Sequence, residues 1–236
     1  MTTIDLTAAD LDALAAFDTP TVCNALERLD PALQGRGYTT RPPLCGFPAM
    51  KPIVGYARTA VLRSAQVHSL SATQLRRLRD EYYRHIDTGP RPSIAVIEDV
   101  DGAAAGYGAF WGEVQSAIHV GLGALGVITN GSVRDLDQWA PGFQFLAGCV
   151  AASHAYAMPV AIGIEIEVFG LRVRPGDLLH ADRHGAVVVP VALARAVPEA
   201  ARAVAAEEAR ILAVARGGEC TAERLIAAFP AQDGIH

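Results

Sequence analysis

The strongest chemical signal in this chain is an acid and a basic–acidic pair at a set interval. Gly112-Glu113 is followed by twenty residues and then by Arg134-Asp135. Val114, Ala117, Ile118, Gly121 and Leu122 recur at helical spacing, which predicts a helix beginning near Gly112 with Glu113 in its first turn. First-turn N–H groups lack intrahelical acceptors, and the helix dipole is positive there. The amides of Val114 and Gln115 are therefore suited to hold a carboxylate or enolate oxygen. Arg134 supplies a planar fork of donors that matches a carboxylate. Asp135 is a hard oxygen ligand of the kind that Mg²⁺ or Mn²⁺ takes. A carboxylate clamp, an anion-holding helix end and a divalent cation are together the parts that stabilise an enolate. On pattern alone, the ordinary reading is that Arg134 and Asp135 simply pair with neighbours at a turn.

Other motifs carry less. Gly121-Leu-Gly123-Ala-Leu-Gly126 has the letters of a dinucleotide fingerprint. That fingerprint needs a strand before it and a helix after it. Here a helix precedes the glycines and a strand follows, so they read as a helix stop. Ser153-His154 has no Gly-x-Ser-x-Gly elbow around it and does not make a hydrolase. Asn130-Gly-Ser132 reads as a turn. Nor is any glycine-rich strand-to-helix loop placed to hold S-adenosylmethionine.

The elements that must position these residues alternate in type. Helices are predicted over 8–17 and from Thr19 onward, the second with Pro20 in its first turn and Val22, Ala25 and Leu26 at helical spacing. After a Pro/Gly-rich connection over 35–52, residues 55–62 read as a strand. Ser71-Ala-Thr-Gln74 has capping-box spacing and predicts a helix to about His85. Strands follow at 94–97, 126–129, 143–147, 160–166, 171–173, 178–181 and 186–189. A long C-terminal helix over 198–216 stops at Gly217-Gly218, and 221–229 reads as one more short helix. Interior strands with flanking helices define an α/β class, read as one domain over 1–236, with N-terminal helices in 1–30 and C-terminal helices in 198–229.

Composition excludes several functions. The net charge is −5 and Lys51 is the single lysine, so the Lys/Arg stripe of a nucleic-acid binder is missing. Arg76-Arg77-Leu-Arg79 runs straight into Asp80-Glu81 and reads as a solvated helix face. Cys23, Cys45, Cys149 and Cys220 lie far apart and match no zinc spacing, as isolated thiols in a reducing compartment would. No apolar run approaches the length of a membrane span. The first residues show no basic start and apolar core, which makes a cytoplasmic location the expectation.

Residues 121–135, Gly-Leu-Gly-Ala-Leu-Gly-Val-Ile-Thr-Asn-Gly-Ser-Val-Arg-Asp, resemble the signature segment of the RraA-like family, which includes the 4-hydroxy-4-methyl-2-oxoglutarate aldolases. Val173 to Pro190, which contains Arg-Pro-Gly-Asp and His-Ala-Asp-Arg-His-Gly, is similar as well. Thr21–Glu27 and Val54–Thr59 match more loosely. The resemblance implies a compact α/β/α-type domain with a central mixed sheet, assembled as a homotrimer or a homohexamer with sites between subunits. It implies a metal-dependent lyase acting on 2-oxo acids through a pyruvate enolate, as an aldolase, an oxaloacetate decarboxylase or both. In that reading Asp135 binds Mg²⁺ or Mn²⁺ directly and Glu113 binds it through water or as an outer ligand. Arg134 and the helix start at Gly112, Val114 and Gln115 hold the pyruvyl part. A water held by the metal or by a Glu removes the 4-hydroxyl proton.

The resemblance also implies that a Glu from a neighbouring subunit's C-terminal helix reaches the site. Glu207 and Glu208 are the candidates, and Glu208 is preferred because it interrupts the apolar stripe Val204, Ile211, Leu212 and Ala215. The chain departs from the aldolases in having Glu113 where they usually have Asp, and Gln138 where they often have an acid. His154, His180 and His184 fall in segments that match one subgroup and read as structural histidines. The competing reading is a non-enzymatic regulator that binds a ribonuclease E-type enzyme, a role to which the family name also extends. The Glu-x20-Arg-Asp pattern serves no purpose in a pure binding protein, so the enzyme is preferred.

Overall fold

A computed structural model describes residues 5–229. The helices are α1 (Ala8–Leu14), α2 (Thr19–Leu29), α3 (Ala72–Asp87), α4 (Glu113–Gly121), α5 (Val197–Ala215) and α6 (Ala222–Ala228). The strands are β1 (Leu44–Cys45), β2 (Ile53–Arg63), β3 (Ser93–Asp99), β4 (Ala124–Val133), β5 (Gln144–Val150), β6 (Met158–Ile162), β7 (Ile166–Val168), β8 (Leu171–Val173), β9 (Leu178–Asp182) and β10 (Gly185–Val188). Each long helix has a local reason to start. Asp18 caps α2 by accepting from the Thr21 amide, with Pro20 in the first turn. Ser71 and Gln74 form the reciprocal capping box of α3.

One eight-stranded mixed sheet runs in the order β1-β5-β4-β3-β2-β9-β10, with β6 also pairing to β2. Strands β2 to β5 are parallel neighbours, and β1, β6, β9 and β10 join antiparallel. Alternate residues of β2 show how the layers divide. Ile53, Ala57 and Val61 face a cluster closed by the β7–β8 hairpin through Val168, Leu171 and Val173. Val54 and Tyr56, on the other face, pack with α1, α2 and α5, while Ala60 and Leu62 further along pack with Tyr82 and Ile86 of α3. The mixed α/β domain and its long C-terminal helix match the sequence expectation. Among the described residues no helix is long and apolar enough to cross a membrane.

The strand read over 160–166 is interrupted, since β6 ends at Ile162 and β7 begins at Ile166 in a separate two-stranded sheet, with Gly163 at φ +67° between them. Two further local readings change. Asn130-Gly131 is not a turn: β4 runs through it to Val133, with a register shift between Thr129 and Ser132. The Asn130 side chain accepts from the Asp99 amide (2.7 Å) and donates to the Asp99 carbonyl (2.9 Å), so pairing with β3 and β5 overrides turn propensity. The second change concerns α4. The apolar stripe that periodicity read as one face of this helix is largely outward, with Val114 64% exposed. Ser116 and His119 are the buried pair. His119 is held by the Tyr82 hydroxyl (2.7 Å) and packs on Trp111 with ring centroids 4.5 Å apart. Polar and aromatic contacts therefore decide which face of α4 turns inward. The helix does end at the glycines, where Gly123 adopts φ +79° before β4 begins, so the rejection of the dinucleotide fingerprint stands.

Candidate active site

The parallel strands end on one side of the sheet, where α/β folds collect their ligands. β4 delivers Arg134 and Asp135 there, one and two residues past its last position. Val133 bridges to Trp111, and the Arg134 amide donates to the Trp111 carbonyl (2.9 Å), which brings the start of α4 alongside. Asp135 sits in the left-handed region (φ 53°, ψ 45°), a conformation that costs a non-glycine residue energy and that recurs at functional sites. This turn points its carboxylate back at α4. Asp135 Oδ2 accepts from the Glu113 amide at 3.4 Å and lies 3.6 Å from Arg134 Nε. Gly112 makes the approach possible, because a Cβ there would collide with Asp135 Oδ2 and crowd Arg134. Arg134 and Asp135 thus do pair with each other, but loosely, and both side chains remain about one third exposed (35% and 33%).

A cleft of about 240 Å³ opens beside them. Gly112, Val114, Gln115 and Arg134 line it, as the sequence predicts. Arg79 and Tyr83 reach it from α3, Phe110 from the segment before α4, and His154 from the loop before β6. None of its lining residues is acidic, although the chain as a whole is. The charged groups that line the cleft are therefore the guanidinium groups of Arg79 and Arg134, whose acidic partners Asp80 and Asp135 lie outside its lining, and the first-turn amides of Val114 and Gln115 add donors beside them. Gln115 is oriented by its side-chain amide, which donates to the Tyr83 hydroxyl (3.0 Å). His119, one turn later, donates from Nδ1 to the Gln115 carbonyl (2.7 Å) and accepts the Tyr82 hydroxyl at Nε2. Burial holds this imidazole down to a pKa of about 4, so it is neutral and serves as a fixed brace between α3 and α4.

The donor set is hard oxygen from carboxylates. Among the described residues no three His, Cys, Asp or Glu side chains gather as a preformed cage. Asp135 and the exposed Glu113 offer hard oxygens at one helix end. Mg²⁺ and Mn²⁺ can be held this way, because such ions keep several waters and take one or two carboxylates plus substrate oxygens. A zinc site would need more protein ligands.

The remaining candidates lie elsewhere. Glu207 bonds Arg28 of α2 within the same chain at 2.8 Å, and Glu208 is exposed on α5. That helix packs mainly on α2, not on α4. His180 is buried, bonded to the Thr19 hydroxyl and the Phe17 carbonyl (both 3.0 Å), and His184 pairs with Asp182. Those two histidines fasten the start of α2 to β9 and β10, as structural histidines do. His154 differs, since it faces the cleft. Arg79 revises its reading too: Arg77 is a solvated partner of Glu81, whereas Arg79 pairs with Asp80 yet lines the cleft. No spacing rule marked Arg79, Tyr83 or Phe110, because α3 and the segment before α4 meet Arg134 only through tertiary packing. The four cysteines are free, and burial pushes the Cys23 thiol up to about 11.

The fold and this site define an α/β domain with the N-terminal end of a helix beside a basic–acidic pair. Solved structures with the same fold include an uncharacterized protein of Pseudomonas syringae (TM-score 0.68, 23% identity, covering 97% of this chain and 98% of that one). Another is RraAS2 of Streptomyces coelicolor, described as an unusual member of the RNase ES inhibitor RraA protein family (TM-score 0.67, 19% identity, 88% and 98% covered). At these identities the likeness concerns the fold. In sequence, a protein of Alcanivorax borkumensis provisionally named a 4-hydroxy-4-methyl-2-oxoglutarate aldolase is 32% identical over 112 residues, 46% of this chain and 68% of that protein. The RraA-like family model, described as Aldolase/RraA, matches residues 19–188. The chain belongs to the RraA-like family.

Proposed function

We propose that this protein is a divalent-metal-dependent lyase that cleaves 2-oxo acids through a pyruvate enolate, as a 4-hydroxy-4-methyl-2-oxoglutarate-type aldolase, an oxaloacetate decarboxylase or both. One observation carries the reading: Asp135 and the first turn of α4 meet beside Arg134 at the mouth of a cleft free of acidic residues. Arg134 clamps the substrate carboxylate. The Val114 and Gln115 amides donate to the oxygen on which charge develops as the bond from C3 to the departing fragment breaks, which stabilises the enolate. Asp135 and Glu113 would hold Mg²⁺ or Mn²⁺, whose chemistry there is that of a Lewis acid on the keto oxygen. Phe110 and Met158 supply apolar wall and limit water around the reacting carbons.

We further propose a homotrimer or homohexamer. Glu208 is exposed and its helix does not pack on α4. Any role for it at the cleft therefore requires a second copy of the chain.

The test is pyruvate release from oxaloacetate and from 4-hydroxy-4-methyl-2-oxoglutarate, followed with lactate dehydrogenase, in Mg²⁺ and then in EDTA. Turnover should stop on chelation and in Asp135→Ala. Turnover that persists in EDTA and in that variant would overturn the metal assignment. No turnover on either substrate would favour the ribonuclease-regulator reading, which a pull-down with the endoribonuclease then decides.

A further inference from the structure

Cleavage of a 4-hydroxy-2-oxo acid needs a group that removes the hydroxyl proton as the C3–C4 bond breaks. Asp135 and Glu113 are committed by the reading above to the cation, no carboxylate lines the cleft itself, and a water held there, as the resemblance implies, still needs a side chain to receive its proton. Its other polar side chains are Arg79, Arg134, Tyr83, Gln115 and His154. Guanidinium groups are always protonated, amides accept protons poorly, and a phenol is already protonated at neutral pH. Histidine is the one type among them that accepts a proton at neutral pH.

The geometry around His154 prepares it for that role. Its Nδ1 lies 2.8 Å from the Ala155 carbonyl, which can only accept, so Nδ1 carries the proton and the lone pair is left on Nε2. The loop that bears the ring is pinned. Ala155 adopts a left-handed φ of 42°, its amide donates to Ser153 Oγ (3.0 Å), and the Ser153 and His154 carbonyls accept from the Ala109 and Ala157 amides (both 2.9 Å). Gly108 lies so close beneath that a Cβ would strike the His154 carbonyl at 2.5 Å. A non-glycine residue held in this conformation beside a cleft is strain of the kind that positions a functional group.

We propose that His154 is a catalytic residue, the general base for aldol cleavage, an assignment that rests on the lyase reading. Nε2 takes the proton from the substrate's C4 hydroxyl. The O–H electron pair becomes the new C4=O bond, the C3–C4 bond breaks, and its pair passes through C2=C3 to the keto oxygen as the enolate. Protonation at C3 then gives pyruvate, and the imidazolium returns its proton to the medium or to that carbon. Charges and atoms balance without any oxidant or reductant.

Oxaloacetate supplies the discriminating control, because it yields the same enolate by losing CO₂ and has no hydroxyl proton to remove. His154→Gln and His154→Ala are each assayed on both substrates beside the wild type. The expected result is a fall of about 100-fold or more in aldol cleavage. Decarboxylation should fall much less, and added imidazole should restore part of the His154→Ala aldol rate. Decarboxylation in the same preparations also reports that each variant is folded. Aldol cleavage close to wild type, or a fall by the same factor on both substrates in both variants, would overturn the assignment. Wild-type protein that turns over neither substrate removes the lyase reading and this inference with it, an outcome distinct from an active enzyme indifferent to His154.

Discussion

The carboxylate of Asp135 accepts the backbone amide of Glu113, twenty-two residues earlier, at 3.4 Å and so caps α4 from outside the helix. Gly112, the residue at the capping position, has no side chain to do this. One aspartate therefore secures the helix end whose Gly112, Val114 and Gln115 line the cleft. The approach requires that nothing stand between the two segments.

Gly112→Ala tests that requirement. The added methyl would meet Asp135 Oδ2 and Arg134, so the β4 end and α4 must part. The backbone at Gly112 is extended, so the φ angle itself admits alanine and the effect is steric. We expect a loss of kcat/KM of at least tenfold, with overpacking costing about 1–3 kcal/mol in a denaturant titration. Activity unchanged from wild type would show that the contact does not matter to the site.

Arg134→Lys keeps the charge but loses the planar fork. A hydrogen bond to a charged group is worth about 1.5–3 kcal/mol, so kcat/KM should drop by about tenfold to a hundredfold. Steady-state kinetics check this, and equal rates for the two proteins would remove the clamp assignment.

Arg79→Gln addresses selectivity. Asp80 engages Nε and Nη2 of Arg79 through a single oxygen in a half-exposed pair, an arrangement of little net strength. Nη1 is not engaged in that pair and can meet a second negative group in the cleft that Arg134 also lines. The preference for dicarboxylate over monocarboxylate 2-oxo acids should fall about tenfold, mainly through KM. The ratio of kcat/KM for oxaloacetate to that for a monocarboxylate hydroxy-oxo acid measures it.

Stability should fall on mild acidification. His119 has an ordinary pKa of 6.5 when unfolded and is held down to about 4 by burial in the fold. The unfolded chain thus binds a proton between those values that the native state refuses. The contribution of the neutral ring is complete above about pH 6.5 and is lost as pH falls toward 4, by up to about 3 kcal/mol. His180, lowered by burial as well, acts with the same sign. Denaturant midpoints measured from pH 7.5 to 4.5 should decline, and His119→Gln should flatten the decline while lowering the plateau. A flat wild-type profile would contradict this account.

Much of the architecture was legible before folding because it rests on contacts within a few residues. The Ser71–Gln74 capping box, Pro20 in the first turn of α2 and the glycines after α4 act locally, and each lies where spacing placed it. The Gly112-Glu113 and Arg134-Asp135 interval could also be read, since a helix and the strand after it span a fixed distance. What long-range packing decides, no local signal reports. Asn130-Gly131 has turn chemistry but is drawn into β4 by partners on β3 and β5. The apolar stripe of α4 faces outward because Tyr82, Trp111 and His119 lock its other face. Arg79, Arg134 and His154 meet around one cleft only because parallel strands carry their segments to the same end of the sheet, a convergence set by strand order and invisible to periodicity.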